Sequence, residues 1–127
     1  MSTENTGNKK LVKAYLNAQI NHDFSGCRSL LDDDFHFKGP IEEHFGADNF
    51  MLSFEKFIMI IKSIEIEQLI EERDDVLALY NFTTDIPTVE NTRTAEVFTI
   101  RGNKIIKSRL FFDTPEWREV IEKMMNI

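Results

Sequence analysis

The sequence from Thr94 to Asp113, TAEVFTIRGNKIIKSRLFFD, decides the fold. Residues 94–100 are rich in β-branched and aromatic types. Residues 104–113 run extended again through Ile105, Ile106, Leu110, Phe111 and Phe112. Between them, Arg101-Gly102-Asn103 is turn chemistry, because Gly takes positive φ without steric cost and Asn tolerates it. The stretch therefore reads as a long antiparallel hairpin. Side chains alternate along a strand, so Thr94, Glu96, Phe98 and Ile100 share one face. If that face is the buried one, Glu96 puts a carboxylate into an apolar interior, which is costly unless it is protonated or hydrogen-bonded. If it is the solvent face, Glu96 is an ordinary strand carboxylate. The alternation alone allows both readings; Phe98 on the same face should be core, which places Glu96 inside with a raised pKa and Tyr15 as its expected hydrogen-bonding partner, directly or through one water.

Upstream of the hairpin, Val76 to Thr84 (VLALYNFTT) is nearly continuous in apolar residues as far as Tyr80, the pattern of a central strand covered on both sides. Ile64 to Glu72 alternates and reads as its neighbour across a turn at Arg73-Asp74-Asp75. Residues 85–93 form a wide connection. Downstream, Thr114-Pro115-Glu116 starts a last helix whose apolar face is Trp117, Val120, Ile121 and Met124.

The first half is mostly helical. Leu11, Val12, Tyr15, Leu16 and Ala18 make a stripe on a helix from Asn8 to Asn21. Asp23 caps a short helix from Phe24 to Leu31, and Asp32-Asp33-Asp34 reads as a turn. Phe35-His36-Phe37-Lys38 alternates as a half-buried strand ended by Gly39-Pro40. A third helix, Asp48 to Ser63, carries an aromatic ridge of Phe50, Phe54, Phe57, Ile58 and Ile61. Helices grouped early, with a run of strands after them, give an α+β fold: a curved antiparallel sheet with helices packed on one face. Residues 1–7 are polar and read as a disordered N-terminus, with residues 8–127 a single domain.

Composition narrows the function. With 127 residues there is room for one core, and eleven Phe make that core aromatic. A net charge of −7 and the lack of a basic cluster exclude nucleic acid and anionic membrane as main partners. The lone Cys27 forms no internal disulfide, the N-terminus has no apolar leader, and Phe57 to Ile61 is too short to span a bilayer. A cytoplasmic protein is expected. Cys27 has no His or acid at a recognisable catalytic spacing and reads as a small buried hydrophobe. His36 with Glu42-Glu43-His44 matches no zinc spacing, and Asp32 to Asp34 is no calcium loop. Neither a metal nor a cofactor is expected.

The phrase Tyr15 … Asp23 … Leu30-Leu31-Asp32-Asp33 … Phe37 … Gly39-Pro40, with Gly46 opening the third helix and the hairpin from Glu96 to Asp113, resembles the SnoaL-like branch of the nuclear-transport-factor-2-like superfamily. The resemblance covers about Asn8 to Asp113 and implies a cone-shaped, cystatin-like sheet wrapped around helices. It says less about activity, since the superfamily holds isomerases, cyclases, hydrolases, dehydratases and non-enzymatic binding modules. Set beside the ketosteroid isomerase branch, Tyr15 falls at the position of the oxyanion-binding Tyr and Glu96 at or near that of the hairpin acid. The base position falls on Gly39, so that isomerase chemistry lacks its base. The epoxide-hydrolase branch requires an inward acid on the last strand, where this sequence offers Ser108, Leu110 and Phe112, with Arg109 on the outer face.

Two function classes fit. The first is an apolar small-molecule pocket walled by Phe37, Gly39, Phe54, Phe57, Ile58, Phe98, Leu110 and Phe112, with Tyr15 and Glu96 as polar and candidate catalytic residues. As an enzyme it would be a lyase, isomerase or cyclase on an apolar carbonyl compound. The second is a non-catalytic dimerisation or interaction module. In either case a homodimer through the outer sheet face is expected, because Phe111 points away from Leu110 and Phe112.

Overall fold

A computed structural model describes residues 7–125; the expected disordered N-terminus lies outside them, except for Gly7, which opens the first helix. In chain order the elements are α1 (Gly7–Ile20), α2 (Phe24–Ser29), β1 (Leu31–Lys38), β2 (Glu43–Phe45) and α3 (Ala47–Ile60). They continue with β3 (Ser63–Glu72), β4 (Asp75–Thr83), β5 (Asn91–Arg101), β6 (Lys104–Phe112) and α4 (Pro115–Met125). The strands form one curved, unclosed six-stranded sheet in the order β2-β1-β6-β5-β4-β3. The fold is α+β, as the pattern of helices and strands predicts.

The hairpin that organises the chain is β5–β6. Gly102 and Asn103 at its tip both have positive φ, 58° and 62°, the geometry of a tight turn whose twist matches that of the strands. Glu96 pairs with Leu110 and Phe98 with Ser108, and a bulge at Thr99/Ile100 shifts the register before Ile100 meets Ile105. Thr94, Glu96, Phe98 and Ile100 are all buried, so the face carrying Glu96 is the inner one. Three of the helices reach that face through aromatic rings: Tyr15 of α1 lies edge-on to Phe98, while Phe57 of α3 and Trp117 of α4 both pack on Phe82 of β4.

Several expectations change in detail. Asp32 to Asp34 is not a turn but the start of β1, because Leu31 is buried and pairs with Ile105. Arg28 bridges the acids, reaching Asp33 and Asp48 at 2.8 Å each, and α2 stops at Ser29, with Leu30 as its C-cap. The sheet is not wholly antiparallel: β1 runs parallel to β6. Glu43-His44-Phe45 is the short strand β2 rather than loop, pairing with His36, Phe37 and Lys38. α3 ends at Ile60, so Ile61 lies past its last turn and Ser63 opens β3. β4 is interior but covered on one side only, with Leu77 and Leu79 half-buried on the outer face. No helix among the described residues is long and apolar enough to cross a membrane.

Candidate ligand-binding site

Four aromatic rings begin the site. Phe50, Phe54 and Phe57 recur at helical spacing on α3, and Phe37 reaches them from β1. Ring centroids lie 4.8 Å apart for Phe37–Phe50, 4.5 Å for Phe50–Phe54 and 6.0 Å for Phe54–Phe57. Gly39 is required beside them: a Cβ there would stand 2.9 Å from the Phe37 ring. The Gly39 amide closes the following turn by donating to the Glu42 carbonyl at 2.8 Å. Leu110 and Phe112 come from β6, and Ile121 and Met124 from α4. Together these residues line a partly open cavity of about 70 Å³.

One stretch of the cavity wall is polar. His44 faces Phe37 across β1–β2, so it points to the cavity side, as does Glu42. His44 Nε2 lies 3.0 Å from Glu42 Oε1. Ser53, one residue before Phe54 on α3, donates from Oγ to the same Glu42 oxygen at 3.3 Å and lies 3.2 Å from His44 Nε2. Ser53 and His44 thus both converge on one carboxylate oxygen. This is not a nucleophilic triad, in which acid and nucleophile occupy opposite nitrogens of the imidazole. Glu43 and His36 lie on the other face: His36 Nε2 meets Glu43 Oε2 at 2.7 Å, and that bond holds the exposed Glu43 below the usual carboxylate range. Alternation therefore splits the acids and histidines of residues 36–44 between two faces. Among the described residues no group of three His, Cys, Asp or Glu side chains is placed to hold a metal ion.

Six of the eight sequence-predicted pocket residues line the cavity: Phe37, Gly39, Phe54, Phe57, Leu110 and Phe112. Ile58 and Phe98 do not; both are completely buried in the core. Glu96 and Tyr15 do not line it either. Glu96 is 5% exposed and lies on the inner face. Its partners are Tyr80, which donates to Oε1 at 2.7 Å, and Ser108, which donates to Oε2. Burial pushes the Glu96 carboxyl up to about 7, against the opposing pull of the Ser108 and Tyr80 hydrogen bonds. Tyr15, expected to be its partner, instead stacks on Phe54 and meets Phe98 edge-on. Burial, and then the nearby Glu96 charge, drive both the Tyr15 and Tyr80 hydroxyls well above the ordinary tyrosine range. Cys27 is buried, and burial lifts its thiol to about 12, which leaves it unreactive.

Sequence reasoning missed Tyr80 and the group of Glu42, His44 and Ser53. Strand alternation puts Tyr80 on the face of Ala78 and Phe82, and Ala78 is directly opposite Glu96, so the signal for Tyr80 was present. The Glu42–His44 pair stood out only as a poor metal motif. Ser53 carried no signal beyond its place next to the aromatic ridge.

A family profile described as a SnoaL-like domain matches residues 12–108, most of the chain. The chain belongs to the SnoaL-like domain family. No curated protein matches it significantly. Solved structures share the fold of this SnoaL-like domain. An NTF2-like protein of unknown function from Cytophaga hutchinsonii is 21% identical with a TM-score of 0.76, covering 93% of this chain and 99% of its own. An LEH-like epoxide hydrolase from M. tuberculosis is 18% identical with a TM-score of 0.76, covering 94% and 92%. TerC, crystallised with polyporic acid, is 17% identical with a TM-score of 0.76, covering 92% and 99%. At these identities the likeness to each structure is one of fold.

Proposed function

We propose that this SnoaL-like domain binds a compact, largely apolar small molecule in the cavity between β6, α3 and α4. The observation that carries this reading is an apolar cavity with a single polar stretch of wall, the usual make-up of a ligand site. The fold is compatible: one structural relative is described as an epoxide hydrolase and another was crystallised with an organic acid.

The cavity's size sets the mode of binding. Its volume of about 70 Å³ has room for a few waters, whereas an apolar cavity that takes benzene measures about 150 Å³. To be fully enclosed, a ring-sized ligand therefore has to push one wall outward. That wall is α4, whose Ile121 and Met124 are only half-buried while its first turn is fixed by Trp117. Turnover of an apolar carbonyl compound by Glu96 is the less favoured form of the reading. Glu96 is outside the cavity lining and both its oxygens are engaged.

A thermal-shift screen of compact aromatic and alicyclic compounds tests the proposal, because a ligand that binds only the folded state raises the melting temperature. Saturation at 100 times Kd adds about 2.7 kcal/mol, a shift of several degrees. The shift should vanish in Leu110→Trp, which fills the cavity. An equal shift in that variant would place binding elsewhere.

The second reading, an interaction module, rests on the outer sheet face. There Phe111 is 56% and Ile70 44% exposed, next to half-buried Leu77, Leu79 and Val97.

A further inference from the structure

We propose that the Glu42–His44–Ser53 group is the polar end of the ligand site, and that it selects a ligand bearing a hydroxyl on a compact ring, of the phenol or cyclic-alcohol class. The inference rests on the cavity being the ligand site and adds the chemistry of what enters it.

Three observations combine. First, Glu42, His44 and Ser53 are the lining residues with polar side chains, the others being Gly39, Pro40 and apolar side chains such as Phe37, Phe54, Leu110 and Ile121, so a ligand has one group of polar side chains to meet. Second, the donors already present are spent on Glu42 Oε1: the Ser53 hydroxyl at 3.3 Å and His44 Nε2 at 3.0 Å. With Nε2 as the protonated nitrogen of His44, both bonds run to Oε1. Third, Glu42 Oε2 accepts no hydrogen bond from any described residue. Oε2 of this partly exposed, cavity-lining side chain is therefore free to accept from a ligand.

A carbonyl ligand would bring only another acceptor and would meet a carboxylate oxygen. A carboxylate ligand would add like charge against Glu42. A hydroxyl supplies a donor, and its bond to an ionised acceptor is of the stronger kind. The discrimination has a definite sign. A hydroxyl taken into an apolar cavity without a partner loses its hydration, so phenol would then bind more weakly than toluene, which has nearly the same shape. A hydroxyl bonded to Glu42 reverses that order.

The test is titration of the protein with phenol and with toluene, following amide signals by NMR. Phenol should bind about tenfold more tightly than toluene, and the Glu42 and His44 amides should shift with phenol and not with toluene. In Glu42→Met, which keeps the length and loses the acceptor, the preference for phenol over toluene should disappear. Equal affinities in the wild type would overturn the hydroxyl inference and leave the cavity reading standing. So would a phenol preference that survives Glu42→Met. If neither compound perturbs residues of the cavity, the cavity reading itself fails. Should Glu42→Met not fold, the wild-type comparison of the two compounds still decides.

Discussion

The Tyr80 hydroxyl donates to Glu96 Oε1 at 2.7 Å across neighbouring strands, sixteen residues apart in sequence and buried. Ser108 donates to the second oxygen from the other neighbouring strand. The carboxylate is thus held between β4 and β6 by two neutral hydroxyls, with no cation among its partners. Hydrogen bonds support its charge and burial opposes it. Burial dominates, which places the group at about 7 against an ordinary 4.5.

A pH dependence follows, with its sign fixed by that order. The folded protein holds the Glu96 proton more tightly than the unfolded chain. Stability is therefore highest below about pH 4.5 as far as this group is concerned, and falls as pH rises through about 7. The full loss is about 3 kcal/mol. Glu96→Gln should remove that slope: its amide can still accept from Tyr80 and can donate to Ser108. Urea denaturation at pH 5 and pH 8.5 should show the variant equal to wild type at the lower pH and more stable at the higher. A parallel pH dependence in both proteins would refute the assignment.

Tyr80→Phe removes one donor to the charged form. We expect the cost to grow with pH, from about 1 kcal/mol at pH 5 to about 2 kcal/mol at pH 8.5, as hydrogen bonds to charged groups exceed neutral ones. The titration of Glu96, followed by carboxyl carbon NMR, should move upward. An unchanged midpoint would mean that Tyr80 leaves the ionised form unsupported.

The outer sheet face should carry a homodimer. Phe111, Ile70, Leu77, Leu79 and Val97 lie there, and the same face holds two buried polar atoms with no partner among the described residues, Asn81 Oδ1 and Arg109 Nε. A two-fold partner would cover the first set and could satisfy the second. Light scattering at micromolar concentration should give twice the chain mass for wild type and the monomer mass for Phe111→Asp. A monomeric wild type would reject this.

Trp117 fixes α4 to the sheet. It is buried, donates from Nε1 to Thr92 Oγ1 at 2.9 Å and packs on Phe57, Phe82 and Phe112. Trp117→Ala should cost about 3–5 kcal/mol in denaturant unfolding. A cost under about 1 kcal/mol would mean that α4 is undocked in solution.

The hairpin was legible because its turn residues and its alternation point to one register, and Phe98 made the inner face identifiable. Burial of Glu96 followed from the same register. Its partner did not: α1 is packed against the sheet by tertiary contacts that a stripe of apolar residues cannot orient, whereas Tyr80 is derivable by pairing β4 with β5. The start of β1 was hidden because three consecutive Asp look like a turn until Arg28 and Ile105 are brought to them by the fold. Glu42, His44 and Ser53 meet only once β2 pairs with β1 and α3 lies over both.

The most direct test of the ligand-site proposal is a crystal soaked in bromobenzene, with the bromine located by its anomalous signal. A bromine peak is expected between Phe54, Leu110 and Ile121, with the last turns of α4 displaced outward relative to the unsoaked crystal. A crystal whose bromine peaks lie only on the outer sheet face, with the cavity empty and α4 in place, would contradict it.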